Sequence, residues 1–170
     1  MIRDTDDPKI ASLLFTTTII ATLIGIFVSI FFLFTDEEFA YRIAAAVLVG
    51  FIGVISFIRH SVFYRSDQAR MGWRQDHPEF QLEVGYANLA IGISAFFAAG
   101  LNWGSLACGM TLLIYGMYLL CTLLLHVYNA LSVSDNRARA IKSVLNTGIF
   151  IIVLFIFAYL ALSSAHAVPF

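Results

Sequence analysis

The segment RHSVFYRSDQARMGWRQDHPEFQLE, residues 59–83, separates the second apolar run of the chain from the third. It carries four of the ten basic residues and two of the four histidines of a 170-residue sequence that is 60% hydrophobic and 12% charged. Soluble domains contain about 25% charged residues, and the mean hydropathy here is +0.86. The excess of apolar residues predicts a protein that faces lipid, and the polar segment decides how the apolar runs cross the bilayer.

Five apolar runs surround this segment, and each is close to or above the roughly 20 residues that a helix needs to span a bilayer. They cover residues 10–34, 39–58, 78–100, 105–131 and 140–162, with a cytoplasmic connection at 59–77. We therefore predict an all-α fold, a polytopic transmembrane helix bundle with five spans in a single domain of residues 1–170. The third run has small residues on two faces, which predicts a central position in the bundle.

The basic residues indicate the orientation of the five spans. Residues 1–9, 59–75 and 132–142 lie on one side of a five-span arrangement and hold nine of the ten Lys and Arg residues, while Arg42 lies opposite. Since loops rich in Lys and Arg stay in the cytoplasm, we predict a cytoplasmic N-terminus and an external C-terminus.

The polar segment is expected to start as a continuation of the second helix. After Ile58 nothing breaks the helix before Gly72, so this helix is predicted to run past the membrane surface or to bend and lie on it. Gly72 is the predicted helix stop. Asp76 is a candidate N-cap for the third helix, with Pro78 in its first turn.

The strongest polar side chains of four helices fall in one leaflet. Polar groups in lipid are costly and often mark functional sites, so we expect a polar pocket, open to the cytoplasm, that binds a small amphiphile, a lipid or a partner protein. The candidate ligand-binding residues are His60, Glu83, His126, Asn129, Asn146, Arg59 and Asn88. The alternative interpretation is that these side chains snorkel or pair structurally. No catalytic residue and no metal ligand is predicted.

Other functions would use the same residues differently. His60 and His126 could ligate haem from facing helices, although the primary expectation is that there is no cofactor. Glu83 and a histidine could perform acid–base catalysis in a membrane enzyme, but a binding protein is favoured over an enzyme. The small helix faces favour a homo-oligomer, which would also suit a transporter or channel subunit. Membrane lipids are expected partners, and the lack of a Lys/Arg-rich run argues against nucleic acid.

The residues from Met71-Gly72-Trp73 to the run HPEFQLEVGYANL at 77–89 carry a resemblance. This stretch resembles a segment of an uncharacterised family of small bacterial and archaeal multi-pass membrane proteins. A weaker likeness exists to small four-span DoxX-type membrane proteins, from which the fifth span departs. The resemblance implies the cytoplasmic membrane of a prokaryote but no known activity. The residues that it singles out are Gly72, Trp73, Phe80, Gln81, Glu83 and Asn88.

Overall fold

The computed structural model describes residues 6–72, 78–132 and 137–166, and within these ranges the side chains of all residues except 129–143 and 166. The described residues form six helices and no strand, so the predicted all-α fold is confirmed. Five of the helices are long and apolar enough to cross a membrane, which confirms the five predicted spans. The helices are α1 (Lys9–Leu33), α2 (Glu37–Val62), α3 (Tyr64–Met71), α4 (Glu79–Gly100), α5 (Gly104–Ser132) and α6 (Arg137–His166).

Helix α2 occupies the centre of the bundle. In an apolar 18-residue stretch of α2, half of the residues are buried, whereas the corresponding fraction is 33% in α4 and 11% in α1. It contacts all five other helices, and its residues Ala44, Ala45, Leu48, Val49 and Ile52 belong to the main core cluster. The sequence prediction that the third span is central is therefore wrong, because in the described residues α4 packs mainly on α2 and α5, whereas α2 contacts every other helix.

Glycines form a close contact between α2 and α4. A Cβ atom at Gly53 would lie 2.6 Å from the carbonyl oxygen of Asn88, and one at Gly92 would lie 2.9 Å from the carbonyl oxygen of Gly50. Small residues of this kind let helix backbones approach in lipid, where the hydrophobic effect does not bring helices together. The contact fixes the distance between the two helices and hence the position of the polar groups at their ends.

Helix α2 is not a regular α-helix. It contains two π-helical stretches, Ala45–Phe51 and Ile58–Val62, and the second one ends at Phe63, whose φ of −114° and ψ of 41° are not helical. The short helix α3 follows directly, so the chain bends after Val62, four residues beyond the predicted end of the span. Gly72 ends α3 with a φ of 74°, which confirms the predicted stop. The predicted N-cap Asp76 lies outside the described residues.

The two ends of the bundle differ in how their polar groups are paired. At the end opposite to α3, the Tyr41 hydroxyl donates to Glu37 at 3.3 Å, and the Ser164 hydroxyl donates to the same carboxylate at 2.9 Å. Arg42 Nε donates to the carbonyl oxygen of Ala99 at 2.9 Å, near the C-terminus of α4. These contacts join α2 to α4 and α6. The α3 end, which the basic residues predict to be cytoplasmic, holds buried charge instead.

Candidate functional site: a buried ion cluster at the α3 end

Asp67 is the centre of the polar cluster at the α3 end, and its side chain is fully buried. His60 Nδ1 lies 2.8 Å from Asp67 Oδ2, and Arg59 Nε lies 3.4 Å from Oδ1. Arg70 contacts Oδ1 with both Nε and Nη2, each at 3.1 Å. Gln81 Nε2 donates to Oδ2 at 3.4 Å. We refer to Arg59, His60, Asp67, Arg70 and Gln81 as the Asp67 cluster.

The local sequence explains why Asp67 is buried. The break at Phe63 turns α3 back against the bundle, and residues 63, 66, 67 and 70 then share one face at helical spacing. The Ser66 hydroxyl, itself buried, donates to the carbonyl oxygen of Asp7 at 2.6 Å and accepts the backbone N–H of Ala11 at 3.1 Å. Ser66 therefore caps the first turn of α1 from another helix. This capping contact attaches α3 to the start of α1.

The hydrogen bonds of His60 define its tautomer. Arg59 Nη2 lies 2.9 Å from His60 Nε2, and because a guanidinium only donates, Nε2 must accept. The carboxylate of Asp67 only accepts, so the proton belongs on Nδ1, which lies 2.8 Å from Asp67 Oδ2. His60 is therefore a neutral imidazole that links a cation to an anion. Both of its ring nitrogens are engaged, so haem ligation or acid–base catalysis would first require a contact to Arg59 or Asp67 to break.

The two arginines of the cluster lie against one aromatic ring. The guanidinium carbon of Arg59 is 5.5 Å from the centroid of Phe15, and that of Arg70 is 4.7 Å away. Both distances suit cation–π attraction. The side chains are 12% and 21% exposed, respectively, whereas Asp67 is 0% exposed. Phe15 of α1 thus holds two cations beside one buried carboxylate, and the side chains that carry them are partly exposed.

Gln81 connects the cluster to α4. Gln68 Nε2 donates to Gln81 Oε1 at 3.0 Å, and Gln81 Nε2 lies 3.5 Å from the carbonyl oxygen of Tyr64 as well as close to Asp67. The side chain of Gln81 is buried. Four helices therefore contribute to the cluster or its support: α1, α2, α3 and α4.

The surroundings of Asp67 determine its protonation. Burial alone would raise the pKa of this carboxyl, but the contact from His60 and the charges of Arg59 and Arg70 act in the opposite direction and hold the pKa below its ordinary value of 3.8. Asp67 is therefore an anion at neutral pH. With His60 neutral, the cluster contains two cations and one anion.

The structure brings together only part of the set that the sequence predicts. Arg59 and His60 lie in the cluster, whereas Glu83 and Asn146 are exposed. His126 is half-buried near the end of α5, and the side chain of Asn129 lies outside the described part of the chain. Of the predicted site residues whose side chains are described, Arg59 and His60 are the members of the Asp67 cluster.

Asn88 lies deeper in the membrane, in a separate polar group. Its Nδ2 donates to the Tyr118 hydroxyl at 2.9 Å and to the carbonyl oxygen of Val84 at 2.7 Å, and its Oδ1 accepts from the Tyr115 hydroxyl at 3.2 Å. All of these partners are protein atoms on α4 and α5. Such bonds hold helices together in lipid, so the described contacts of Asn88 are those of a helix–helix connection.

Sequence reasoning missed Asp67 and Arg70. A signal existed, because the two residues have the i, i+3 spacing of a helical ion pair, and they follow the His60 region closely in sequence. Gln81 was singled out only by the resemblance. The burial of Asp67 depends on the bend at Phe63, and a phenylalanine at that position does not predict a bend.

Two shallow cavities lie away from the cluster. One, of about 330 Å³, is at the opposite end beside Glu37, Trp103 and Ser164. The other, of about 170 Å³, lies between α4 and α5 beside Ser94 and Thr111. Among the described residues there is no group of three or more His, Cys, Asp or Glu side chains that could hold a metal ion.

Fold and site together define a class: a five-span, multi-pass membrane protein with a buried ion cluster at one end of its central helix. The profile of the DUF6790 family, a family of unknown function, matches residues 11–168, and the chain belongs to this family. The predicted membership of an uncharacterised family is thereby confirmed. No curated protein and no solved structure matches the chain.

Proposed function

We propose that this protein binds a small amphiphile, with the polar headgroup at the Asp67 cluster, in the cytoplasmic leaflet of a prokaryotic cytoplasmic membrane. The observation that carries the proposal is a fully buried carboxylate with two arginines and a neutral histidine at the end of the central span. A headgroup can reach this depth from the leaflet, because Arg70 remains 21% exposed.

The energetic cost of the cluster supports a binding role. Removing charges from water costs several kcal/mol per ion, and well-packed apolar residues often give equal or greater stability than a buried ion pair. A cluster whose only task is to attach α3 would therefore not need three ionisable side chains around Asp67. Ionisable groups at membrane depth are functional candidates for the same reason.

The chemistry of the cluster favours binding over catalysis. The two ring nitrogens of His60 are held by Arg59 and Asp67, so the imidazole has no free base position. Arg59 and Arg70 are permanently charged donors and have no acceptor capacity. Such a set recognises the polar part of a ligand, and its one carboxylate, Asp67, is already in contact with His60 and both arginines.

Native mass spectrometry in mild detergent tests this proposal. The probes are short-chain phosphatidylglycerol and phosphatidylcholine in equal amounts, and the readout is the number of lipids that stay bound. Arg70→Gln should lower the sum of both bound lipids. The matched control is Arg65→Gln, because Arg65 lies on the same helix with an exposed side chain outside the cluster.

If wild type, Arg70→Gln and Arg65→Gln all retain the same total amount of bound lipid, the proposal is refuted. Thermal unfolding of each variant should accompany the titration. This control separates a lost contact with the headgroup from a loss of the folded state.

A further inference from the structure

The Asp67 carboxylate receives more donors than it can satisfy. Three N–H groups approach Oδ1, namely Nε of Arg59 and both Nε and Nη2 of Arg70, while His60 Nδ1 and Gln81 Nε2 approach Oδ2. A carboxylate has about four lone-pair sites, two on each oxygen. At least one donor on Oδ1 therefore lacks an acceptor.

The geometry shows which of the three donors on Oδ1 is left without an acceptor. Arg59 Nε is a buried atom without a hydrogen-bond partner in the described part of the chain. A buried donor that lacks an acceptor costs about 1–3 kcal/mol, and more when it is charged. An added acceptor at this position would relieve that cost.

The charge balance specifies the added group. The ion pairs that the described residues form with Arg59 and Arg70 all go to Asp67, so one positive charge is left in excess. The described contacts use Nε and Nη2 of both guanidiniums. The two N–H groups of Nη1 on each arginine are not used by these contacts, and planar guanidinium groups match the oxygens of phosphate.

We infer that the headgroup bound at the Asp67 cluster is an anionic phosphate group of a lipid, which supplies the acceptor and the negative charge that Asp67 alone does not supply. This inference rests on the proposed function and narrows it to one class of amphiphile. The acyl chains would lie along the membrane-facing surface of the bundle, beside Phe15 of α1, whose ring already contacts both guanidiniums.

The test compares headgroups on the full-length protein in detergent. Four probes with the same acyl chains are titrated by native mass spectrometry: phosphatidic acid, phosphatidylglycerol, phosphatidylcholine and diacylglycerol. The two anionic lipids should bind at least fivefold more tightly than phosphatidylcholine, the effect of about one basic residue beside an anionic lipid. Diacylglycerol, which lacks phosphate, should bind more weakly still, and Arg70→Gln should remove the preference while Arg65→Gln keeps it.

Added salt and a soluble competitor complete the test. The preference should weaken between 0.05 and 0.5 M salt (roughly a threefold fall in screening length), because exposed charges are screened and Arg70 is partly exposed. Glycerol phosphate, which has the phosphate but no acyl chains, should not displace phosphatidylglycerol at matched concentration. Displacement would show that the site takes free phosphate, and the lipid inference would be overturned.

The remaining outcomes separate the inference from the proposed function. If Arg70→Gln weakens binding but all four lipids bind wild type equally, the anionic-headgroup inference is overturned and the proposed function stands. If no lipid depends on Arg70, both fail. Arg59→Gln gives an independent measurement, since it removes the second guanidinium from α2 and leaves the sequence of α3 unchanged.

Discussion

Asp67→Asn tests whether the polar site is centred on Asp67, as in the structure, and not on the residues that the sequence predicts. The change keeps the shape of the side chain but removes the negative charge that Arg59 and Arg70 share. Breaking a buried pair by removing one partner costs about 3–5 kcal/mol. The side chains of Arg59 and Arg70 are 12% and 21% exposed, so partial solvation places the expected loss near the lower end of this range, at about 3 kcal/mol.

The corresponding shift in unfolding temperature is measurable. For a chain of about 150–250 residues, 1 kcal/mol shifts the midpoint by about 2–4 °C, so Asp67→Asn should lower it by about 6–12 °C. Cys108 is fully buried and Cys121 is exposed. In a Cys121→Ser background, a thiol-reactive fluorescent dye therefore reports unfolding through Cys108.

Two further variants make the interpretation specific. Glu83→Gln removes a carboxylate near the same end of the bundle, but this side chain is exposed, and the midpoint should change by less than about 2 °C, as surface substitutions usually do. Adding Arg59→Met to Asp67→Asn removes one unpaired cation and should recover part of the loss. A drop for Glu83→Gln as large as that for Asp67→Asn would refute the assignment of Asp67 as the centre.

Three more predictions concern the same bundle. The folded-state pKa of Asp67 is lowered, so its contribution to stability is present above its ordinary pKa of 3.8 and is lost as the pH falls through the folded value; circular-dichroism melts from pH 6 to pH 2.5 should show the gap between wild type and Asp67→Asn closing below about pH 4. Gly53→Ala places a methyl group against the α4 backbone and should cost about 1–3 kcal/mol in dye-monitored unfolding, whereas Gly100→Ala, with open space around it, should not destabilise. Ser66→Ala removes the cap on α1 and should cost about 1 kcal/mol in the same assay, whereas Ser94→Ala, on an exposed position, should be nearly neutral.

Each of these predictions has an outcome that contradicts its reasoning. A pH-independent gap would mean that Asp67 is not the titrating group. Equal effects of Gly53→Ala and Gly100→Ala would mean that α2 and α4 do not touch at Gly53. A neutral Ser66→Ala would mean that water replaces the hydroxyl at the start of α1.

The spans were predictable from the sequence because an apolar run of about 20 residues has few alternatives to a membrane helix. Gly72 was also predictable, since a positive φ suits glycine best and ends many helices. The observed span boundaries differ from the predicted ones by a few residues at most ends, and the end of the third span, at Gly100, agrees. These features depend on local sequence alone.

The site was only partly predictable. The sequence indicates how deep a residue lies along a helix, but it does not give the direction in which the side chain points around the helix axis. The sequence placed Glu83 and Gln81 at nearly the same depth, but two residues along a helix correspond to about 200° around its axis. Gln81 is accordingly buried beside Asp67, whereas Glu83 is exposed. The direction of each side chain depends on which face of α4 packs on α2. The contact between Gly53 and Gly92, which are distant in sequence, determines that face.

The π-helical turn Ile58–Val62 has a consequence for how the length of the chain can vary. A π turn accommodates one more residue than the α turn that it replaces. Deleting a single residue there would let the helix revert to regular winding, and every side chain beyond the deletion would rotate by about 100°. Arg59 and His60 would then be out of phase with the Asp67 carboxylate, so among relatives this span should resist the gain or loss of single residues more strongly than any other.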